Sequence, residues 1–561
     1  MRRTNLAAVI TFAGLTVLLT YPQVRGFATS VPYHSDPYFS MWRLGWVAHA
    51  IRHAPGQMFD TNIFYPEHLT LAYSDAMLLP GVILAPLFWA GTSPVIIYNL
   101  ALFCAFTLSG LTAFSLARLV TGNVGASLVA GMIYAFAPYR FTHYMHLELQ
   151  LVFWIPLLLF IIHRSLPHLT VRDGALFGAI LGCQLLSCIY AGIYAAMFCV
   201  VFVPCLALSA VARPMPASSG ETRRSPGEGG TGGRPFRPSI KPLMAAGVMT
   251  GLLALPYAFA YVGARGTVGT RSIEQFRFYS ASLANYLSAP QMNRFYGGTA
   301  ITDPIFADEM NLFPGVVTVL LALTGAFASK SRSRYPYVVG LIFAIVMTAG
   351  VNGVLHGWLF EHVSLFQALR SPARFGILVI LCLAVLSAYG MAVLLDRIGT
   401  PKRRVGVTAA VVMLLMAEFS SSPPIVPVPA PSKVDAYLAL RPPAVIVELP
   451  LISPYGIWGS LDWLYMYQGL SHFHKMLNGY SGYAPASFYQ MRELMSGFPD
   501  DRSIAFLRRR RVDYVVIRTG KFESADAAIL LERVQQREEL SLEVIWAAGP
   551  SGGEVLFRVA P

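Results

Sequence analysis

The sequence predicts an all-α polytopic membrane protein of about eleven transmembrane helices, followed by a small C-terminal α/β domain outside the bilayer. Three observations carry this reading. Of 561 residues, 55% are hydrophobic and only 13% charged, against ~25% charge in an average soluble domain, so there are too few charges to coat a soluble surface. Apolar stretches recur at 5–20, 95–117, 149–162, 243–262, 312–328, 338–351, 375–395 and 405–417, most of them near the ~20 residues that span hydrocarbon. Beyond residue 420 the pattern changes to short β-prone runs at 444–449, 512–517, 542–546 and 554–559, interleaved with helical composition at 484–495, 502–510 and 525–537.

The first apolar stretch follows Arg2 and Arg3 but leads into Tyr21-Pro22-Gln23 with no small-x-small cleavage site, so it reads as a retained first helix. The net charge is +13, yet the basic residues fall between apolar stretches, where the positive-inside bias puts them. No nucleic-acid partner is expected. All six cysteines lie in apolar segments without CxxC spacing, which points to packing rather than to metal or disulfide chemistry.

The basic clusters at 2–3, 118, 164–172, 213–241, 330–334 and 397–404 set the topology. If each cluster is cytoplasmic, neighbouring clusters are separated by an even number of crossings. Stretch 76–90, short and interrupted by Pro80 and Pro86, must then stay outside as an interfacial or re-entrant segment. The apolar run between Arg172 and Arg213 must cross twice, with a break near 187–192. Eleven crossings result, with the N-terminus inside, the C-terminus outside, and a bacterial cytoplasmic membrane as the setting. The boundaries follow as 1–420 for the membrane domain and 421–561 for the outer α/β domain. The first outside loop covers 21–94, and the Pro/Gly/Ser/Arg-rich insert 213–240 is a cytoplasmic disordered linker. No internal repeat speaks for a transporter built from related halves.

The outer loops hold the residues able to do chemistry. In the first, His34-Ser35-Asp36-Pro37 opens an aromatic amphipathic stretch reaching His53. Asp36 before Pro37 suits an N-cap, and equally a general base above the bilayer. Glu67 and His68 follow as binding candidates, and Asp75 is the second candidate acid, with a helix cap as its competing role. The turn 138–148 concentrates Arg140, His143, His146 and Glu148, a set that could hold a metal or a hydroxylated substrate; its spacing is unspecific, so no residue is assigned as a metal ligand and a divalent cation stays an open question. In Arg370-Ser371-Pro372-Ala373-Arg374, a serine cap, a proline and two arginines meet at a helix start, where free N–H groups favour a phosphate. Arg277 adds a third cation. Tyr480 and Tyr483, in a Gly-rich aromatic turn, suit sugar stacking.

The segments DPYFSMWRLGWVAHAI (36–51), NIFYPEHLTLAYSD (62–75), FAPYRFTHYMHLELQ (136–150), LRSPARFG (369–376) and NGYSGYAP (478–485) resemble bacterial membrane proteins labelled glycosyltransferase-like. The arrangement of an Asp in a long first outer loop, basic later loops and an outer C-terminal domain is similar to the C-type membrane glycosyltransferases. That resemblance implies a C-type fold and transfer of a sugar from a polyprenyl-phosphate-linked donor to a glycan, lipid or protein acceptor at the outer face. It also implies that Asp36 activates the acceptor while Arg370 or Arg374 holds the lipid phosphate. There is no clear Asp-x-Asp pair, a departure that puts a metal-dependent oligosaccharyltransferase-like chemistry in doubt. The alternative is a non-catalytic membrane protein that binds or translocates lipid-linked glycans.

Overall fold

The computed structural model describes residues 2–211, 240–303, 309–451, 460–549 and 552–561; the insert expected to be disordered lies almost wholly outside them. Helices form where the apolar stretches predict them: α1 (Arg2–Leu19), α2 (Asp36–His53), α3 (Leu78–Trp89), α4 (Pro94–Thr121), α5 (Val124–Phe136), α6 (Trp154–Ser165), α7 (Val171–Ser187), α8 (Ile189–Val211), α9 (Ile240–Val268), α10 (Val316–Ala328), α11 (Tyr335–Thr348), α12 (Gly376–Asp396) and α13 (Pro401–Glu418). With α2 and α3 set aside, eleven helices remain in the stretches where crossings were expected, but most are too short or too weakly apolar to count as spans by themselves. Among the described residues, four spans are long and apolar enough to cross a bilayer by themselves, or five if the helix bent by 51° between Leu255 and Tyr257 counts as one. The chain is a multi-pass membrane protein.

Local chemistry explains the boundaries. Helix α4 starts at Ser93, whose side chain accepts from the Val95 N–H, with Pro94 in its first turn, and stops at Gly122, which adopts φ +69°. Helix α7 starts on a capping box between Thr170 and Asp173. The break expected between 187 and 192 is Cys188, extended at φ −157°, after which α8 begins.

Two helix pairs depend on small residues. On α7, Gly174, Gly178 and Gly182 form a stripe against α9, where a Cβ on Gly178 would lie 2.3 Å from the Ala246 carbonyl oxygen. Between α10 and α12, Gly325 and Gly390 bring the backbones together in the same way. Without a hydrophobic drive between helices in lipid, such close approach supplies the packing attraction.

Helix α3 packs chiefly against one neighbour. It lies on α2: the Trp89 indole donates to the Ala48 carbonyl at 3.0 Å, and Gly81 sits against Val47. At about 1.5 Å per residue its 12 residues reach ~18 Å, short of the ~30 Å hydrocarbon core.

The C-terminal runs form the expected strands and helices. The sheet order is β4-β3-β5-β7-β6, built from β3 (Val445–Leu449), β4 (Lys475–Met476), β5 (Tyr514–Ile517), β6 (Leu540–Gly549) and β7 (Gly552–Val559). β3 is parallel to β4 and β5, whereas β7 is antiparallel to both neighbours. Among the described residues, one apolar cluster of this region is its own and a larger one is shared with the first loop. Phe39, Trp42, Trp46, Phe64 and Tyr73 of the first loop join Val447, Met466, Leu477, Phe488 and Phe506 in one apolar cluster. A short ladder of β1 (Ser30–Pro32) with β2 (Ile425–Pro427) adds a second tie. The far face buries Arg518 among Asp435, Glu448 and Glu554, at 2.6–2.8 Å.

Candidate active site

The tie between the first loop and the C-terminal region places Asp36. Its expected capping role is not what the structure shows: Asp36 is already the first residue of α2, Ser35 occupies the cap position, and no side chain caps the helix. The physical reason is competition, because better donors reach the carboxylate. His146 Nε2 lies 2.9 Å from Oδ2, and the Tyr480 hydroxyl donates to Oδ1 at 2.8 Å. Ser35 Oγ lies 3.1 Å from the Tyr480 oxygen. His34 Nδ1 accepts the Asp36 N–H at 3.1 Å and lies 3.8 Å from Oδ1. The His34 and His146 rings are 5.6 Å apart.

Burial alone would raise the Asp36 pKa, but the adjacent His34 and His146 and the Tyr480 donor outweigh it and hold the carboxyl well below its ordinary range. Burial opposes charge on His146 as well, and the bond to Asp36 reverses the sign, raising its pKa above 6.5. Tyr480 is pushed well above 10, by burial first and by Asp36 second.

Two turns along α2, Arg43 anchors the next layer. It donates to Glu148 Oε2 at 2.8 Å, to the Asp75 carbonyl at 2.7 Å and to Ser40 Oγ at 2.9 Å. The Asp75 carboxylate is taken up by backbone: Oδ2 accepts the Ile189 N–H at 2.7 Å and Oδ1 the Met77 N–H at 3.4 Å. It therefore caps α8 at the break. Burial, then Glu148, raise its pKa to about 6.

The expected phosphate site at 370–374 is rearranged. Arg374 is buried against Glu309, its Nε donating to both carboxylate oxygens at 3.0 and 3.1 Å. Ser371 Oγ also donates to Glu309, at 2.9 Å, and makes no cap bond. Glu309 thus neutralises Arg374. Arg370 stays half-buried, its guanidinium 5.4 Å from the Tyr279 ring centre and its N–H bonded to the Tyr190 hydroxyl at 2.9 Å. Arg277 is exposed on the short helix Ile273–Phe278. Arg271, on the same loop, stacks 3.5 Å from the Tyr483 ring centre and feels the charge of Arg370.

The remaining candidates separate into two places. Glu67 and His68 lie with Asp60 in an outer turn, His68 exposed and 3.4 Å from the Asp60 carboxylate. Arg140 and His143 are buried below the Asp36 cluster, where Arg140 donates to the Gln150 side chain at 2.9 Å. A cavity of about 20 Å³, room for one water, lies among Tyr139, Arg140, His143, Tyr190, Tyr194 and Arg374. Among the described residues no three His, Cys, Asp or Glu side chains are grouped to hold a metal ion.

Sequence reasoning missed Arg43, Arg271, Tyr190 and Glu309. Arg43 was detectable: a charge seven residues after Asp36 within an aromatic run lies on the same helical face. Glu309 has no sequence signal, because its partner lies 65 residues away.

No family model matches the sequence, and no curated protein matches it either. Among solved structures, the arabinofuranosyltransferase AftD from mycobacteria aligns over 99% of this chain and 41% of its own, with TM-score 0.57 and 14% identity. The chain therefore spans about two fifths of that protein's length. An oligosaccharyltransferase from Archaeoglobus fulgidus in its apo form aligns over 91% of this chain and 69% of its own, with TM-score 0.41 and 15% identity. The likeness to the arabinofuranosyltransferase is one of fold, and it extends over almost the whole chain.

Proposed function

We propose that this protein is a membrane glycosyltransferase that moves a sugar from a polyprenyl-phosphate-linked donor to an acceptor hydroxyl at the outer face of a bacterial cytoplasmic membrane. The observation that carries the reading is one cluster: the Asp36 carboxylate hydrogen-bonded by Tyr480 and His146, with the Arg370 charge felt at Tyr480. Among the described residues, no carboxylate lies within ion-pair distance of Arg370 or Arg271, so both cations are available to a donor phosphate. The bond broken is the anomeric C–O bond to phosphate, and the negative charge that develops there is what an arginine pair stabilises. Tyr483 and Tyr279, already stacked on those arginines, supply faces for the sugar or the first isoprene unit.

The topology that goes with this reading has eleven crossings, the N-terminus inside and the site outside. A reporter inserted between Gly91 and Pro94 reads out on the outer side under this arrangement, and a cytoplasmic reading would refute it. The competing function, binding or translocating lipid-linked glycans without chemistry, calls for charges along a membrane pathway. Glu418, an acid at the end of α13, accepts from the Val317 N–H at 3.2 and 3.3 Å and so caps the start of α10. Incubating purified protein with a panel of radiolabelled polyprenyl-phosphate sugars separates the two functions: label transferred or released means an enzyme, and label bound without turnover means a carrier.

A further inference from the structure

The Asp36 carboxylate is poorly built to take a proton, and its neighbour is better placed. Oδ1 is occupied by the Tyr480 hydroxyl at 2.8 Å and Oδ2 by His146 Nε2 at 2.9 Å. A carboxylate with both oxygens engaged by donors is stabilised in its charged form and weak as a base. His146, by contrast, is buried to 6% exposure, fixed through Nε2, and its Nδ1 makes no hydrogen bond to any described residue. A buried ring nitrogen without a partner costs free energy that native structures seldom leave unrecovered. An imidazole held through one nitrogen by a carboxylate, with the other nitrogen unpaired, is the arrangement in which the ring carries the proton and the acid orients it.

We infer that His146, through Nδ1, is the general base that takes the acceptor proton, and that Asp36 is its positioning residue. The inference rests on the proposed transferase reading and changes the assignment of the base within it. The acceptor oxygen forms the new bond to the anomeric carbon while its proton passes to Nδ1. The C–O bond to phosphate breaks with its electron pair, leaving polyprenyl phosphate. The imidazolium, compensated by Asp36, then gives its proton to that phosphate or to solvent, and the ring is restored. Tyr480 keeps the second carboxylate oxygen from turning toward the substrate.

The groups facing His146 set its titration. Asp36 and His34 approach from the start of α2, His143 from its own turn at a ring distance of 5.8 Å, and Glu148, Glu309 and Arg374 act at longer range. Burial disfavours the imidazolium, Asp36 and Glu148 favour it, Arg374 opposes it, and the result is a pKa above 6.5. A neutral base therefore accumulates only as pH rises past that value. If Asp36 were itself the base it would be ionised throughout, because its pKa is held below the ordinary range.

The test is the pH profile of turnover of radiolabelled polyprenyl-phosphate sugar by the full-length protein in nanodiscs, from pH 5 to 9. The expected wild-type profile rises with a midpoint above 6.5. His146→Gln lowers turnover on the order of 10²-fold or more and flattens the profile, and His146→Ala regains turnover when imidazole is added, in proportion to its unprotonated fraction. A flat wild-type profile, or His146→Gln turning over within threefold of wild type while Asp36→Asn is inactive, overturns this assignment and leaves the transferase reading standing. Wild-type protein that turns over no donor in the panel overturns both.

Discussion

Replacing Glu309 by glutamine isolates one buried charge. Glu309 and Arg374 are 5% and 9% exposed, and the carboxylate receives the Arg374 guanidinium and the Ser371 hydroxyl. Glutamine keeps the shape and one acceptor oxygen but leaves the guanidinium buried without a counter-charge, a loss of about 3–5 kcal/mol. Adding Arg374→Met to that variant removes the stranded cation, and stability returns to within about 1–2 kcal/mol of wild type, because buried ion pairs replaced as a unit cost little. The coupling between the two sites is then at least ~2 kcal/mol. Denaturant titration of the four proteins in bicelles measures it. The pH dependence carries a sign as well. Burial raises the Glu309 pKa and Arg374 lowers it further, for a net value below the ordinary range; its stabilisation is therefore present above 4.5 and lost as pH falls through the depressed value. If Glu309→Gln stays within 0.5 kcal/mol of wild type, Arg374 is not held as a buried ion pair and returns as a candidate phosphate ligand.

Three further outcomes follow from the same geometry. Arg271→Ala and Arg370→Ala each weaken binding of a polyprenyl-phosphate sugar by about tenfold or more, and lysine restores it poorly where the guanidinium is stacked on tyrosine; unchanged affinity in microscale thermophoresis would reduce both to surface anchors. Gly178→Ala places a methyl against the Ala246 carbonyl and forces α7 and α9 apart, costing about 1–3 kcal/mol, visible as a lower midpoint in thermal unfolding. Asp75→Asn retains turnover, since the carboxylate serves backbone N–H groups; its raised pKa of about 6 means its protonated form is the stabilising one, fully present below 3.8 and lost as pH rises through 6, so the variant gains on wild type at pH 7.5. Loss of turnover in folded Asp75→Asn would return it to the chemistry.

The helices were legible because span length and charge parity are one-dimensional properties. The break at Cys188 and the short α3 were expected from charge parity, which asks for an even number of crossings between Arg172 and Arg213 and between Arg3 and Arg118. The strands were legible for the same reason, since the β-prone composition of runs such as 554–559 is a local property. What was not legible is pairing across long sequence separation. Tyr480 could be read as a stacking residue, but its bond to Asp36, 444 positions away, has no local signature. The dipeptide Asp36-Pro37 looked like a cap because capping is decided by neighbours two or three residues on, and nothing nearby reveals that His146 will claim the carboxylate. Arg374 looked like a free cation for the same reason, Glu309 being remote. The Gly174-xxx-Gly178-xxx-Gly182 stripe was visible in the sequence and marks a close helix contact; the apolar runs around it drew attention to span length instead.

The most direct measurement of the central claim is turnover of radiolabelled polyprenyl-phosphate sugar by wild-type protein and by Asp36→Asn, each shown to be folded by its thermal unfolding midpoint. Asparagine keeps an acceptor for Tyr480 but removes the charge that holds His146. The account predicts label leaving the lipid in wild type and a loss on the order of 10² or more in Asp36→Asn, with donor binding retained through Arg271 and Arg370. Equal turnover by the two proteins would contradict it.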